Sequence, residues 1–185
     1  MNIYGKQVLL RAIEYEDSEL IVKMFNDPVI EEAVVGWSFP VSYVAHEKWF
    51  ENNYLEEINK HFVIQIIGGE TVGIATLVNI DWKNRRASHG LKIKSSEYVR
   101  CGIGTDVVMT IMRYAFEELG FERLDTSWLE TNIAPREMFK KCGWKEEGSR
   151  QKYVYKNGEY KDCILGGILA EEYFEHIATS NYWEV

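Results

Sequence analysis

The chain has 185 residues, a formal net charge of −8 and 46% hydrophobic residues, which is ordinary for a globular protein. This length suits one domain, residues 1–185, with a sizeable core. The negative charge argues against a general nucleic-acid-binding protein and favours neutral or cationic partners. No apolar run approaches the length of a membrane-spanning helix, and residues 1–6 lack the apolar centre of a signal peptide. We therefore expect neither nucleic acid nor membrane as a partner.

Three cysteines, Cys101, Cys142 and Cys163, lie far apart and form no C-x-x-C pair. An odd number at this spacing indicates neither a disulfide framework nor a zinc site, and we expect no bound metal. Free cysteines are typical of reducing compartments, so the sequence predicts a cytoplasmic protein.

The N-terminal half of the chain combines predicted helices with predicted strands. A strand over residues 7–13 precedes a helical stripe that begins near Leu20 and stops near Asn26-Asp27-Pro28, because proline cannot continue a helix interior. An aromatic loop and a second helix, over residues 42–58, follow. Three runs separated by turn residues then predict an antiparallel meander of strands. These runs are residues 61–67, 71–80 and 85–93.

A central helix is predicted over residues 105–119, where apolar residues recur at a 3.6-residue period on one face. Gly120 follows where a left-handed C-cap is expected. The helix joins the strand over residues 85–93 to another over residues 122–129. These two strands should therefore be parallel, with a right-handed connection.

The C-terminal part begins with a short helix predicted over residues 132–139. The Asn157-Gly158 pair predicts a hairpin turn between strands at 145–156 and 159–170. Residues 171–185 form a tail with a short helix and an aromatic end. The order of elements predicts an α/β fold with a mixed sheet of the α+β kind.

A glycine loop, residues 99–105, runs directly into the central helix. The first backbone N–H groups of a helix have no internal partners, and the helix dipole adds partial positive charge there. Gly102 and Gly104 allow several N–H groups to converge on one point, so the loop predicts an anion site, most often for phosphate. A plain turn before a helix is the alternative, since a single G-x-G motif is weak.

Nucleotide-binding loops of other classes fit this segment poorly. A P-loop has lysine before its serine or threonine, whereas Gly104 precedes Thr105 here. The third glycine of the dinucleotide motif is replaced by Val107. The sequence therefore disfavours both of these classes.

Four motifs follow one another along the chain in a definite order. Residues 99–104 match an Arg/Gln-x-x-Gly-x-Gly/Ala frame, with Val99 at the Arg/Gln position and Arg100 beside it. The other three motifs are Arg85-Arg86-Ala87; Asn132, Phe139 and Gly143-Trp144; and Asn157-Gly158-Glu159-Tyr160 with Asp162. Together they resemble the GNAT superfamily of acetyl-CoA-dependent N-acetyltransferases, and within it the ribosomal-protein N-terminal and spermidine acetyltransferases. The resemblance extends from residue 10 to about residue 173.

This resemblance implies central parallel strands that splay apart and a C-terminal hairpin. It also implies acetyl-CoA as cosubstrate, with the pyrophosphate on the glycine loop and the pantetheine arm along the strand over residues 85–93. The residues implied for acetyl-CoA binding are Leu91, Lys92, Ile93, Val99, Arg100, Cys101, Gly102, Ile103, Gly104, Thr105, Asn132 and Phe139. Asp106 lies close to the bound anion, so we expect its carboxylate to point outward.

The implied reaction is direct attack of a primary amine on the thioester of acetyl-CoA. Three acceptors fit: a small polyamine-like amine, an amino sugar or antibiotic, and a protein or peptide N-terminus. Two positions depart from the family pattern. Phe139 stands where a tyrosine often protonates the leaving thiolate, and Ser88 stands where spermidine-type relatives have a glutamate. An acyl-CoA-binding module with weak or no catalysis is therefore the alternative.

Three residues are candidates for taking the proton of the amine. His89 has a suitable ordinary pKa, but strand alternation turns it away from the face of Ser88. Ser88 can order a water molecule, and Glu130 stands at the mouth of the expected cleft. For each of them, simple packing or surface exposure is the alternative.

Acceptor-binding residues are expected before the meander and in the last hairpin. The candidates are Glu31, Glu32, Trp37 and Tyr155. Carboxylates and aromatic rings can bind a cationic amine through charge and cation–π contacts. Solvated glutamates and ordinary core aromatics are the alternative. The exposed strand ends and the aromatic tail Tyr182-Trp183 suggest a homodimer.

Overall fold

A mixed sheet of eight strands runs through the computed structural model, which describes residues 1–36, 39–53, 56–94, 98 and 101–184. The strands are β1 (Ile3–Tyr4), β2 (Val8–Arg11), β3 (Lys60–Ile66), β4 (Thr71–Asp81), β5 (Arg86–Ile93), β6 (Arg123–Leu129), β7 (Lys145–Lys156) and β8 (Glu159–Leu169). Their order across the sheet is β1-β2-β3-β4-β5-β6-β8-β7. Strands β5 and β6 are parallel, and the other neighbours are antiparallel. The mixed sheet agrees with the predicted fold class.

Helices cover both faces of the sheet. They are α1 (Ser18–Phe25), α2 (Pro28–Ala33), α3 (Tyr43–Asn53), α4 (Ile103–Arg113), α5 (Ile133–Lys141) and α6 (Ala170–Ser180). On one face Val107 of α4 belongs to the same buried cluster as Ala87 of β5. On the other face Ile21 of α1 packs with Ile74 of β4. Within the described residues, no helix is long and apolar enough to cross a bilayer.

Helix α4 is the most deeply buried helix next to the site. Its apolar residues Val107, Val108, Ile111 and Met112 are completely shielded from solvent. Each apolar side chain removed from water contributes about 1.5–3 kcal/mol, so this face holds the helix firmly on the sheet. After Arg113 the backbone widens into a π-helical turn (Tyr114–Glu118), and Gly120 has the left-handed φ of +66° that the sequence predicts.

The parallel strands β5 and β6 are paired over only a short stretch. The register joins Arg86 to Arg123, Ala87 to Leu124 and Ser88 to Asp125, and it ends there. Beyond Ser88, β5 stays paired with β4 while β6 stays paired with β8. The two strands therefore diverge and leave a gap between them, which confirms the predicted splay.

Helix α1 ends at Phe25, close to the stop predicted near residues 26–28, and α2 is a further helix that the sequence did not predict. Pro28 is the first residue of α2, and the Asp27 side chain caps this helix by accepting a hydrogen bond from Val29 N–H at 2.8 Å. Proline is well tolerated at this position because its missing N–H would have no helical partner. The same proline thus separates α1 from α2 and starts the second of them.

The outward orientation expected for Asp106 is wrong. Its carboxylate is fully buried and accepts hydrogen bonds from the backbone N–H groups of Lys6, Gln7 and Val8 at 2.7–3.0 Å. The hydroxyl of Tyr182 donates a fourth hydrogen bond at 2.8 Å. Asp106 therefore ties the first turn of α4 to both ends of the chain, because four donors compensate the loss of its hydration.

Candidate functional site

The glycine loop ends at the N-terminus of α4, beside the gap between β5 and β6. Gly102 has a left-handed φ of +84° and precedes Ile103, the first residue of α4. The first helical hydrogen bond runs from Asp106 N–H to the Gly102 carbonyl at 2.9 Å. The N–H groups before it have no helical partner and can hold an anion. Cys101 is exposed, while Val99 and Arg100 lie outside the described residues.

Gly104 is required by packing at this helix end. A Cβ atom there would lie 2.7 Å from Sδ of Met138 in α5, and it would touch the side chains of Leu91 and Ile93 in β5. Glycine therefore lets the first turn of α4 approach both α5 and β5. The predicted anion-binding segment, including Thr105, is held against the strand that borders the gap.

Lys92 lies on β5 between Leu91 and Ile93, and its side chain points to the opposite face of the sheet. Its ammonium nitrogen stands 4.2 Å from the ring centre of Phe25 in α1. Burial, and after it the positive charge of Lys156, lowers the pKa of Lys92. The three residues expected to border the pantetheine arm thus present side chains to both faces.

A cluster of aromatic rings closes the gap on the α5 face. Phe139 of α5 is buried, and its ring contacts those of His89, Trp128 and Trp144 at centroid distances of 6.1, 5.7 and 4.9 Å. His89 comes from β5 and Trp128 from β6, so the cluster spans the two diverging strands. Sequence reasoning missed Trp128. Residues four positions apart in a strand point to the same face, so Trp128 of β6 lies on the same face as the buried Leu124.

His89 is a neutral side chain with one free nitrogen. Its Nδ1 lies 2.9 Å from the carbonyl oxygen of Thr76. A carbonyl only accepts hydrogen bonds, so Nδ1 carries the proton and Nε2 keeps a lone pair. Burial lowers the pKa of His89 to about 4 despite this hydrogen bond. The imidazole is therefore uncharged at neutral pH and is a weak base, since a catalytic base works best with a pKa near the operating pH.

Two buried nitrogens beside the gap have no partner among the described residues, Nε2 of His89 and Nε1 of Trp128. The first is an acceptor and the second is a donor. Leaving a buried polar atom unsatisfied costs about 1–3 kcal/mol, so such atoms mark places where a ligand can bind. A pantetheine arm carries both amide donors and amide acceptors, and these residues fit it.

Asn132 and Glu130 stand at the end of β6 and are bonded to neighbouring elements. Asn132 Nδ2 donates to the carbonyl of Ala33 at 2.9 Å and so links this loop to the end of α2. Glu130 Oε1 accepts a hydrogen bond from Asp162 N–H at 3.0 Å, and Glu130 N–H donates to the Asp162 carbonyl. The structure places both residues at the edge of the gap, with the Glu130 carboxylate held on β8.

An open groove of about 700 Å³ lies on the other face of the sheet, across the start of the gap. Ser88 and Gly90 of β5 and Ser127 of β6 line it where the strands diverge. Its ionisable lining residues, apart from the neutral His89, are Arg86, Arg123, Asp125, Glu147 and Arg150. His89 also borders this groove, but its ring packs against Phe139 on the α5 face. The side chains of Ser88 and His89 thus point to different faces, as strand alternation predicts.

The carboxylates expected to bind the acceptor are engaged by the closing hairpin. Glu31 Oε1 forms an ion pair at 2.7 Å with the buried Nζ of Lys156, and Glu32 Oε1 accepts a hydrogen bond from Asn157 Nδ2 at 3.0 Å. Tyr155 points to the face opposite Lys156 and is exposed, and its ring lies 4.9 Å from that of Tyr160 at an angle of 56°. Hence Glu31 and Glu32 lie together but Tyr155 does not join them, and Trp37 lies outside the described residues.

Comparison with known proteins identifies the family. Residues 7–145 match the model of the acetyltransferase (GNAT) domain. The chain is 31% identical to a putative ribosomal N-acetyltransferase of Bacillus subtilis, over 91% of this chain and 94% of the relative. It is 27% identical to the spermidine N(1)-acetyltransferase of Escherichia coli K12, over 91% and 90% of the two chains.

A solved structure shows the same fold. It is the spermidine N-acetyltransferase of Vibrio cholerae in complex with CoA and spermine, which superimposes with a TM-score of 0.85 at 22% identity. The match covers 92% of this chain and 99% of the other. The family match spans the splayed strands, the glycine loop and α5. The chain therefore belongs to the GNAT family of acetyltransferases, whose members use acetyl-CoA, and it is an N-acetyltransferase.

Proposed function

We propose that this protein transfers the acetyl group of acetyl-CoA to a primary amine by direct attack of the amine on the thioester. The observation that carries the proposal is the gap between β5 and β6, which opens at the N-terminus of α4. Acetyl-CoA supplies the activated acyl carbon and a thiolate leaving group. The phosphates are bound by the N–H groups of residues 102–105, where the helix dipole favours negative charge.

The pantetheine arm lies along β5 in the same proposal. Beyond Ser88 the edge of β5 that faces the gap has no strand partner among the described residues, so main-chain groups of residues 91–93 remain for hydrogen bonding. This is the way an extended ligand adds to an exposed sheet edge. Asn132 closes the gap from the α5 side, and a β5 backbone N–H near Leu91 stabilises the developing oxyanion.

The amine must lose a proton, because only the neutral form has a lone pair for attack. His89 serves this purpose poorly, since its pKa is about 4 and its ring lies on the α5 face. Ser88 lines the groove where β5 and β6 diverge and can hold a water molecule there. We assign the proton path to water held by Ser88, with Glu130 as the carboxylate at the far edge of the gap.

The departing thiolate needs a hydrogen-bond donor, and Phe139 has no hydroxyl to offer. Among the described residues, the indole N–H of Trp128 is a buried donor without a partner, and its ring stacks on that of Phe139. An indole N–H does not give up its proton at neutral pH, but it can stabilise negative charge through a hydrogen bond. A coenzyme A thiol has an ordinary pKa near 8.5, so its thiolate can leave without full protonation.

The acceptor belongs to the primary amines. This assignment is supported by the relatives, one named as a spermidine acetyltransferase and one as a putative ribosomal N-acetyltransferase. Amino sugars and antibiotics with a primary amine are acceptors of the same chemical class. The test is thiol release from acetyl-CoA with polyamines, amino sugars, aminoglycosides, amino acids and short peptides as acceptors. Calorimetric titration with acetyl-CoA is made in parallel. Turnover with one acceptor class supports the proposal, and failure to bind acetyl-CoA contradicts it.

A binding module with weak catalysis is a second candidate, which Phe139 and Ser88 favour. It predicts acetyl-CoA binding without turnover on any of these amines. The variant Phe139→Tyr separates the two, because general-acid help is worth about 10²–10⁴-fold in rate. A large gain in kcat at unchanged acetyl-CoA affinity would show that the missing hydroxyl limits the chemistry.

A further inference from the structure

We propose that the acceptor is a small amine that also carries a carboxylate, and that Arg150 binds this carboxylate in the groove beside Ser88. This inference rests on the proposed acetyl transfer and specifies its acceptor. It differs from the cationic acceptor that Glu31 and Glu32 suggest from the sequence. It is based on the arginines and carboxylates that line the groove.

Both carboxylates of the groove are occupied by one arginine. Arg123 Nε donates to Asp125 Oδ1 at 2.7 Å, and its Nη1 donates to Glu147 Oε1 at 2.9 Å. These two hydrogen bonds raise the pKa of Arg123 and lower that of Glu147. An ammonium group entering the groove would have to compete with a guanidinium that is already fixed between them. The groove therefore has no carboxylate ready for a cation.

Arg150 is in the opposite situation. It donates to the hydroxyl of Tyr153 at 3.0 Å and lies 5.0 Å from the centre of that ring. Over the part of the chain that the structure describes, no carboxylate lies within 4.0 Å of its guanidinium nitrogens. A guanidinium has five N–H donors in a planar fork that matches a carboxylate, so most of its donors remain for a ligand. Tyr153 holds the side chain in place for that contact.

Arg86 adds a second positive charge with a weak partner. Its Nε lies 3.6 Å from Asp81 Oδ2, which is too far for a good hydrogen bond. Both oxygens of Asp81 already accept hydrogen bonds from Asn84, at 2.9 Å from the backbone and 2.6 Å from the side chain. The lining thus holds three arginines and two carboxylates, and Arg150 is the one of these arginines with no carboxylate within 4.0 Å among the described residues.

A further positively charged side chain lies on the same face of the sheet. Lys92, on the same face of β5 as Ser88, packs on the ring of Phe25. A polyamine would bring positive charges towards Arg150, which has no carboxylate partner among the described residues, and like charges brought together disfavour a wrong partner. An acceptor with a negative group meets complementary charge.

The spacing suits a small molecule. Arg150 is opposite Cys163 on β8, and Cys163 is opposite Leu129 at the end of β6. Two strand spacings, about 10 Å, therefore separate the backbone of Arg150 from the diverging edge of β6. A long arginine side chain covers much of this distance. The amine and the carboxylate of the acceptor then need only a few bonds between them, as in an amino acid.

The experiment compares L-amino acids with their methyl esters, and with spermidine, in the acetyl-CoA thiol-release assay. Each amine is tested with the wild-type enzyme, with Arg150→Gln and with Arg85→Gln. Arg85 is a matched control because it is exposed, pairs with Glu122 and does not line the groove. The ratio of kcat/KM for acid over ester is the readout. Differences in amine pKa cancel when this ratio is compared between enzymes.

We expect at least one amino acid to be preferred over its ester and over spermidine. In Arg150→Gln the acid-over-ester ratio should fall about 10- to 100-fold, the range for a hydrogen bond to a charged group, while Arg85→Gln leaves it unchanged. A preference for spermidine, an unchanged ratio in Arg150→Gln, or no turnover of any amino acid would overturn this inference. Only failure to bind acetyl-CoA would also overturn the proposed function. Calorimetry with acetyl-CoA on the same samples therefore distinguishes failure of this inference from failure of the proposed function.

Discussion

The indole ring of Trp128 lies nearly parallel to the ring of Phe139, with centroids 5.7 Å apart and 14° between the planes. The phenyl ring of Phe139 has no hydroxyl, and the stack brings the indole N–H of Trp128 to the gap. The N–H is buried and has no partner in the described part of the chain. A donor in this position should interact with the sulfur of bound coenzyme A.

The variant Trp128→Phe keeps an aromatic ring and removes this donor. We expect its affinity for coenzyme A to fall about 3- to 10-fold, the value of one ordinary hydrogen bond. The affinity for desulfo-coenzyme A, which lacks the sulfur, should not change. Titration calorimetry with both ligands measures the difference. Trp82→Phe is the control, since Trp82 is half-exposed and lies away from the gap. Equal losses for both ligands would show that the indole N–H does not contact the sulfur.

His89 should make folding stability depend on pH in a definite window. Its pKa is about 4 in the folded protein because burial disfavours the charged ring, against 6.5 when unfolded. Between these values the unfolded chain binds the proton and the folded one does not, so stability falls as the pH decreases from 6.5 towards 4. Above pH 6.5 both states are neutral and the contribution vanishes.

The comparison variant is His89→Gln, which has no group that titrates in this range. Between pH 7 and pH 5 the free energy of unfolding of the wild type should fall by about 2 kcal/mol more than that of the variant. Urea unfolding at the two pH values gives this difference directly, because carboxylates elsewhere titrate equally in both proteins. Parallel pH profiles for the two proteins would mean that the pKa of His89 is the same in the folded and the unfolded protein.

Local patterns in the sequence sufficed for the elements that depend on neighbouring residues. The hairpin at Asn157-Gly158 is correct to one residue, because both residues have the positive φ of a tight turn, +51° and +82°. The amphipathic period of α4 and the crossover from β5 to β6 were predictable for the same reason. Pro28 also correctly indicated a helix boundary, because α1 ends shortly before it and α2 begins at it.

Contacts between distant parts of the chain could not be predicted from these patterns. Glu31 meets Lys156, 125 residues away, and Asp106 meets backbone groups about 100 residues away. No local signal states which of the acidic residues will find such a partner. The same limit applies to Arg123, which gathers Asp125 and Glu147 and so sets the charge of the groove.

The ion pair of Glu31 with Lys156 predicts a structural effect of mutation. In Glu31→Gln the buried ammonium of Lys156 loses its counter-charge, and an unpaired buried charge is costly. We expect a loss of about 2 kcal/mol in the free energy of unfolding, which is below the cost at a fully buried pair because Glu31 is partly exposed. Urea denaturation measures it.

Glu32→Gln is the matched control for this substitution. Glu32 accepts a hydrogen bond from a neutral amide, and a glutamine can accept it as well, so the change in stability should be small. KM for the acceptor should stay the same in both variants if these glutamates hold the hairpin rather than the substrate. If KM for the acceptor rose in Glu31→Gln alone while stability stayed the same, Glu31 would be assigned to acceptor binding.

Asp106 offers the largest expected loss of stability from a single polar change. Asp106→Asn replaces one acceptor oxygen by an amide N–H₂ that faces backbone N–H donors at the turn between β1 and β2. At least one of these donors is then buried without a partner, and an ionic acceptor is lost. We expect the free energy of unfolding to fall by about 3 kcal/mol.

The variant Tyr182→Phe separates the contribution of the C-terminal tail. It removes only the hydrogen bond from the tyrosine hydroxyl to Asp106 Oδ1, so about 1 kcal/mol should be lost. Because Tyr182 and Asp106 are in direct contact, the double variant should lose less than the sum of the two single losses. Equilibrium unfolding of the four proteins gives this coupling energy. Strict additivity would show that the tail does not depend on the buried carboxylate, in contrast to its position in the structure.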